Sequence, residues 1–350
     1  MRANQQILFV EIGRKLPKFA RNNLQYLRKH FPELHIVLLT DYEYKQSGIE
    51  VINTESLEEV SLINEFKNLQ KDWGSRLQTR YWNLTTERFF WIYHYMTQMR
   101  IQSLIHIESD VVILDPFALD DLIENSSGLA YSLQNSKMGC AGVFAVNDSF
   151  QLKEFLDFVI QNWSIEHQTD QTLLAKWAIL NPNKVQIFKP IPSLPISNSH
   201  AQGKIGNYLV DPGDFGIYLF GNDARNNHLP ISKLGVDINA QEFQEIKRVL
   251  VDFRLEKKDG VFSLSLERDF IKLRLITLHF HSKRVPKTIS HLRFHLTFRK
   301  IAFHIKLKNN SMDSFYFYFS TDFRVLIERL LSKIGRRFNS TNRFKDFRLR

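Results

Sequence analysis

Three short apolar runs rich in β-branched residues stand out in the first third of the chain: Ile7–Ile12, Leu34–Thr40 and Ser103–Ile113. Each has strand length and strand composition. Between the first two, Phe19, Leu24 and Leu27 recur at helical spacing in an otherwise polar, basic segment. Pro17 suits the first turn of that helix and Pro32 lies beyond its end. Strand, helix and strand in this order form the unit of a parallel sheet with right-handed crossovers. Further along, Thr85–Arg100 is aromatic-rich and of helix length, and Phe150–Asn162 and Thr169–Leu180 read as amphipathic helices. The proline- and glycine-rich stretch from Asn181 to Asp223 reads as loops lining a site, because aromatic residues interleave it.

Composition narrows the class. The chain has 350 residues, 43% hydrophobic and 24% charged, which excludes wholesale disorder. The single cysteine, Cys140, excludes an internal disulfide and any zinc site needing several thiolates. No run approaches the roughly 18–20 apolar residues that span a bilayer. The polar start Met1–Gln6 followed by a short apolar run does not read as a signal peptide, so the expected location is cytoplasmic. The formal charge of +10 is concentrated from His281 to Arg350, where 17 Lys/Arg stand against four Asp/Glu. The body is therefore mildly acidic and the tail strongly basic, which turns the reading away from nucleic acid as the partner of the whole molecule.

The stretch Leu104-Ile105-His106-Ile107-Glu108-Ser109-Asp110-Val111-Val112 carries the candidate chemistry. Read as one strand, period two puts His106, Glu108 and Asp110 on one face and Ile105 and Ile107 on the other. Two carboxylates at the carboxyl end of a buried parallel strand call for a compensating cation, and ligands in open α/β sheets bind at those ends. Paired carboxylates suit Mg²⁺ or Mn²⁺. The plainer alternative is that the two acids begin a solvated loop.

This segment resembles the D-x-D motif of GT-A fold glycosyltransferases. Met138-Gly139-Cys140-Ala141-Gly142-Val143-Phe144 is similar to the N-S-G-V-F strand of the glycogenin-like and galactosyltransferase-like retaining enzymes, with Cys140 and Ala141 in place of Asn and Ser. Thr169-Asp170-Gln171-Thr172-Leu173-Leu174 resembles their D-Q-x-L-L helix start, and Leu278-His279-Phe280-His281-Ser282-Lys283 their late H-F-x-G-x-K segment. The resemblance covers residues 5 to 285. It implies a Rossmann-like, mostly parallel sheet flanked by helices over residues 1–285, with residues 286–350 as a basic helical extension.

The same resemblance implies roles. Glu108 and Asp110 would hold Mn²⁺ or Mg²⁺ with a late histidine, which is His279 by motif letter or His281 by distance to Lys283; His281 is the expected ligand. Lys283 and Arg88 would meet the phosphates of a nucleotide diphosphate sugar, Glu108 also its ribose, Asp41 its base or ribose, and Val10 and Gly13 its base. Asp170 and Gln171 would face the transferred sugar, and the likeness implies retention of configuration. Asp211 and Asp223, at the ends of a turn and an aromatic, glycine-rich stretch, suit a sugar or acceptor wall.

In the tail, Phe323, Leu326, Ile327, Leu330, Leu331 and Ile334 form a helical stripe, with Arg324, Arg329, Lys333, Arg336 and Arg337 beside it. A basic amphipathic helix suits a peripheral site on the inner membrane face, and with it a glycan or lipid-linked acceptor in surface polysaccharide or lipopolysaccharide synthesis. Nucleic-acid binding by the tail, an inactive scaffold of the same fold and a metal-dependent nucleotidyltransferase are the competing readings.

Overall fold

The computed structural model describes residues 6–57, 61–70, 77–116, 118–119, 128–135, 137–163, 168–188, 208–211, 213, 216, 253–258, 261–268, 271–280 and 285. All of them belong to one unit, residues 1–297. The expected extension 286–350, with its helical stripe, lies outside them.

The first strand, helix and second strand form as the apolar pattern predicts: β1 is Gln6–Glu11, α1 is Lys18–His30 and β2 is His35–Thr40. Glu50–Asn53 (β3), Ser61–Gln70 (α2) and Leu77–Met99 (α3) follow, so the third helix begins well before the expected Thr85. Then come Leu104–Ile107 (β4), Val111–Ile113 (β5), Leu129–Asn135 (β6) and Met138–Val146 (β7). Ser149–Asn162 (α4), Asp170–Leu180 (α5) and Val185–Phe188 (β8) complete the sheet region. The late part contributes Tyr208–Leu209 (β9), Phe253–Lys258 (β10), Val261–Arg268 (β11), Ile271–Leu275 (β12) and Thr277–His279 (β13).

Seven strands form a mixed sheet in the order β3-β2-β1-β4-β7-β6-β8. The pairings β2–β3, β1–β2, β1–β4 and β6–β8 are parallel; β7 is antiparallel to both its neighbours. This is the mostly parallel α/β sheet with flanking helices that the motifs imply. Period-two alternation divides the core into two layers. Ile7, Phe9, Ile105 and Ile107 face α1 with Leu24 and Leu27, while Leu8, Leu104 and Phe144 face α3, α4 and α5 with Phe89, Phe155 and Leu173. Among the described residues no helix is long and apolar enough to cross a membrane.

The expected single strand over Ser103–Ile113 is broken in two. β4 ends at Ile107, and β5 leaves the large sheet to pair with β13 in antiparallel register, Val111 opposite His279. Between them Glu108, Ser109 and Asp110 form a turn, closed by the Val111 N–H donating to the Glu108 carbonyl at 2.9 Å. The break sits at the carboxyl end of a central parallel strand, where such sheets present their ligand sites.

Candidate active site and metal centre

The acidic turn is held from three directions. The Glu108 N–H donates to the Gly142 carbonyl on β7 at 3.0 Å, and the Phe280 N–H donates to the Asp110 carbonyl at 2.8 Å. From α1, the Asn23 amide donates to the Ser109 carbonyl at 3.1 Å and to the Val111 carbonyl at 2.7 Å. The register of β13 on β5 then delivers His279, whose Nε2 lies 3.4 Å from Glu108 Oε2 and 3.3 Å from Asp110 Oδ2. One ligand atom from each of the three residues lies within 4.8 Å of the others. A Cβ at Gly142 would stand 3.1 Å from His279 Nδ1, so glycine there leaves the imidazole its room.

A second set of charges adjoins this one. Arg88 on α3 is 7% exposed, and its guanidinium bridges Glu108 and Asp170, reaching Asp170 Oδ2 at 2.7 Å. Asp170 is placed by its helix start: the Thr169 and Thr172 side chains form a reciprocal capping box at the end of α5 that carries it. The five side chains thus comprise three carboxylates, one guanidinium and one imidazole. Burial alone would lower the Arg88 pKa, but Glu108 and Asp170 raise it, so the guanidinium is charged. Burial pushes the Asp170 carboxyl up, against the pull of Arg88. Burial likewise works to lower the His279 imidazole, and Asp110 beside it overrides this and raises it well above its usual range. His106, on β4 two residues before Glu108, is pushed down to about 3 by burial and by Arg88, and its Nδ1 sits 3.1 Å from the Leu8 carbonyl as a neutral donor.

The donor set fits a divalent cation. A protonated His279 offsets one negative charge of the cluster; a divalent ion offsets two, and it replaces the proton as the group to which Nε2 presents its lone pair. Two carboxylate oxygens and one imidazole nitrogen, on a turn fixed from three sides, are suitable ligands for Mn²⁺ or Mg²⁺.

Beyond the carboxyl ends of β1 and β2 lies a cavity of about 440 Å³, lined by Ile12, Gly13, Asp41, Thr54, Lys67 and Trp91 among others. Gly13 takes φ +76°, and its N–H donates to Asp41 Oδ2 at 2.6 Å. Glu87, next to Arg88 on α3, accepts from Trp91 Nε1 at 3.0 Å, with Lys67 3.9 Å away.

No known family profile matches the chain, and no curated protein does. The fold is similar to those of solved glycosyltransferases. The apo form of glycosyltransferase GlyE from Streptococcus pneumoniae TIGR4 is 13% identical, with a TM-score of 0.34, over 53% of this chain and 45% of GlyE. Galactosyltransferase LgtC, solved in complex with donor and acceptor sugar analogues, is 16% identical with a TM-score of 0.32, over 48% of this chain and 69% of LgtC. The PaToxG glycosyltransferase is 10% identical with a TM-score of 0.32, over 51% and 69%. The chain thus spans less than half the length of GlyE.

Of the residues expected from the sequence, the structure brings Glu108, Asp110, Arg88 and Asp170 together, and sets Gly13 and Asp41 together at the cavity. Gln171 follows Asp170, half-buried in the first turn of α5, and Val10 packs half-buried beside the α3 layer. The histidine beside the acids is His279; His281, Lys283 and Asp223 lie outside the described residues. Asp211, expected as a sugar contact, is 1% exposed, and its carboxylate accepts the N–H groups of Gly213 at 2.8 Å, Gly216 at 2.9 Å and His279 at 2.9 Å. It ties Gly213 and Gly216 to the backbone of His279. Two contributors were missed from the sequence, Asn23 and Gly142. Gly142 sits inside a motif already singled out; Asn23 shows in the sequence only as a polar residue beside the apolar stripe of α1.

Proposed function

We propose that this chain is a metal-dependent glycosyltransferase that moves a sugar from a nucleotide diphosphate sugar to an acceptor hydroxyl. The observation that carries the proposal is the meeting of Glu108, Asp110 and His279 at the carboxyl end of β4, with Arg88 and Asp170 adjoining. Glu108, Asp110 and His279 would hold Mn²⁺ or Mg²⁺; His279 is chosen because it is the imidazole set against both acids. The bound ion supplies Lewis-acid stabilisation of the negative charge that develops on the departing diphosphate.

The chain's own residues do the rest. Arg88 holds Asp170 and Glu108 in one arrangement, so the acid that faces the sugar and the acid that faces the donor keep a fixed separation. Asp170, with Gln171, stabilises positive charge on the sugar or aligns the acceptor, and the reaction retains configuration. Lys283 adds a cation at the phosphates. The cavity beside Gly13 and Asp41 takes the nucleobase and ribose, with Val10 behind. Asp223 is the acceptor-side candidate. The basic tail seats the enzyme on an anionic membrane surface, where a lipid-linked glycan of a surface polysaccharide or lipopolysaccharide is the acceptor.

Calorimetric titration of a panel of sugar nucleotides in Mn²⁺ tests the reading. One donor binds the unaltered protein in the presence of the metal, and Asp110→Ala abolishes that binding without unfolding the chain. Equal affinity in Asp110→Ala overturns the assignment. Release of pyrophosphate in place of nucleoside diphosphate on turnover assigns the site to nucleotidyl transfer instead.

A further inference from the structure

We infer that Asn23, on the helix opposite the acidic turn, is a positioning residue that sets the direction of the Asp110 carboxylate. The inference rests on the proposed metal site. Asn23 is fully buried on the face of α1 that also carries Ala20, Leu24 and Leu27. A polar amide among apolar neighbours costs free energy unless it is hydrogen-bonded. Its Nδ2 uses both of its hydrogens on the chain that brackets Asp110: the Ser109 carbonyl at 3.1 Å and the Val111 carbonyl at 2.7 Å.

The geometry gives this pair of bonds a particular effect. Asn23 grips the carbonyls on either side of Asp110, while the carbonyl of Asp110 itself accepts from the Phe280 N–H at 2.8 Å. The three successive peptide units are therefore held by two different elements, α1 and the segment following β13. With those units fixed, the Cα–Cβ direction of Asp110 is fixed too. Removing the amide releases one of the two supports. The turn remains closed by its own bond from Val111 to Glu108, so the chain folds, but the carboxylate loses its set direction toward His279. Partners that orient a metal ligand typically change metal affinity about 10- to 100-fold when removed.

The test measures Mn²⁺ binding by the full chain, without donor, using calorimetry and the electron paramagnetic resonance line shape of the bound ion. Urea unfolding is run in parallel. Asn23→Leu is close to isosteric and lacks the donors; Leu24→Ala loses core packing on the same helix but none of these bonds. We expect Asn23→Leu to bind Mn²⁺ at least 10-fold more weakly, with an altered line shape, while Leu24→Ala binds as the unaltered protein despite its lower stability. Asn23→Ala, which also lacks the donors, serves the same comparison if Asn23→Leu does not fold. Unaltered affinity and line shape in the folded Asn23 variant overturn the inference and leave the metal site standing. Equal weakening in Leu24→Ala overturns it as well, since general destabilisation then accounts for the loss. Absence of Mn²⁺ binding by the unaltered protein overturns the metal site itself, and this inference with it.

Discussion

Arg88 shows how closely stability and chemistry are joined at the level of single residues. Its guanidinium lies between two acids that would otherwise face each other in a buried setting. Removing one partner from a buried charge network typically costs about 3–5 kcal/mol, because the remaining charges lose their compensation. Arg88→Met is therefore expected to lower unfolding free energy by about that amount in urea titrations, and a loss below about 1 kcal/mol would show that water already screens the pair. The acids at 108 and 110 were legible in the sequence because two carboxylates at the end of an apolar run are a local feature, although the strand alternation expected to carry them gives way to a turn after Ile107. The choice between His279 and His281 was not. Period two puts both imidazoles on one face, and only the pairing of β13 with β5, set far away in the chain, brings His279 to the acids. Asn23 was illegible for the same reason: its partners are backbone carbonyls of a distant turn.

Among the elements, the contact between β7 and α5 governs where Asp170 sits. A Cβ on Gly139 would fall 2.5 Å from Leu174 Cβ, so the helix rests directly on a strand surface with no side chain between. Gly139→Val must push α5 outward, and overpacking of this kind typically costs about 1–3 kcal/mol. We expect a lower urea midpoint together with weaker donor binding, because the displaced helix carries Asp170 away from Arg88. A midpoint that falls while donor binding stays constant would separate the packing of α5 from the site. The strands and helices of this layer were readable from apolar periodicity, α4 and α5 to within a residue at each end. The split of Ser103–Ile113 into β4 and β5 was not, since both halves are apolar and the turn between them, besides its own Val111–Glu108 bond, is held by groups from α1, β7 and the segment after β13 that are distant in the sequence.

At the scale of the whole molecule, the acidic body and the basic tail call for separate tests. The stripe from Phe323 to Ile334 with its flanking cations is a sequence feature. Each basic residue near an anionic leaflet contributes roughly 1 kcal/mol. Replacing Arg329, Lys333 and Arg336 together with Gln should weaken co-sedimentation with anionic vesicles by about 100-fold while Mn²⁺ binding holds constant. Vesicle binding that survives the triple replacement would remove the membrane role of the stripe. The pairing of β13 with β5 has a temporal consequence as well. A nascent chain that has emerged as far as β8 already contains Arg88, both acids and Asp170, but not the imidazole. Long-range pairing of this sort is slow to form, so the proposed cation-binding set cannot assemble until β13 has emerged, and until then the nascent chain holds the acids of the proposed metal site without their imidazole.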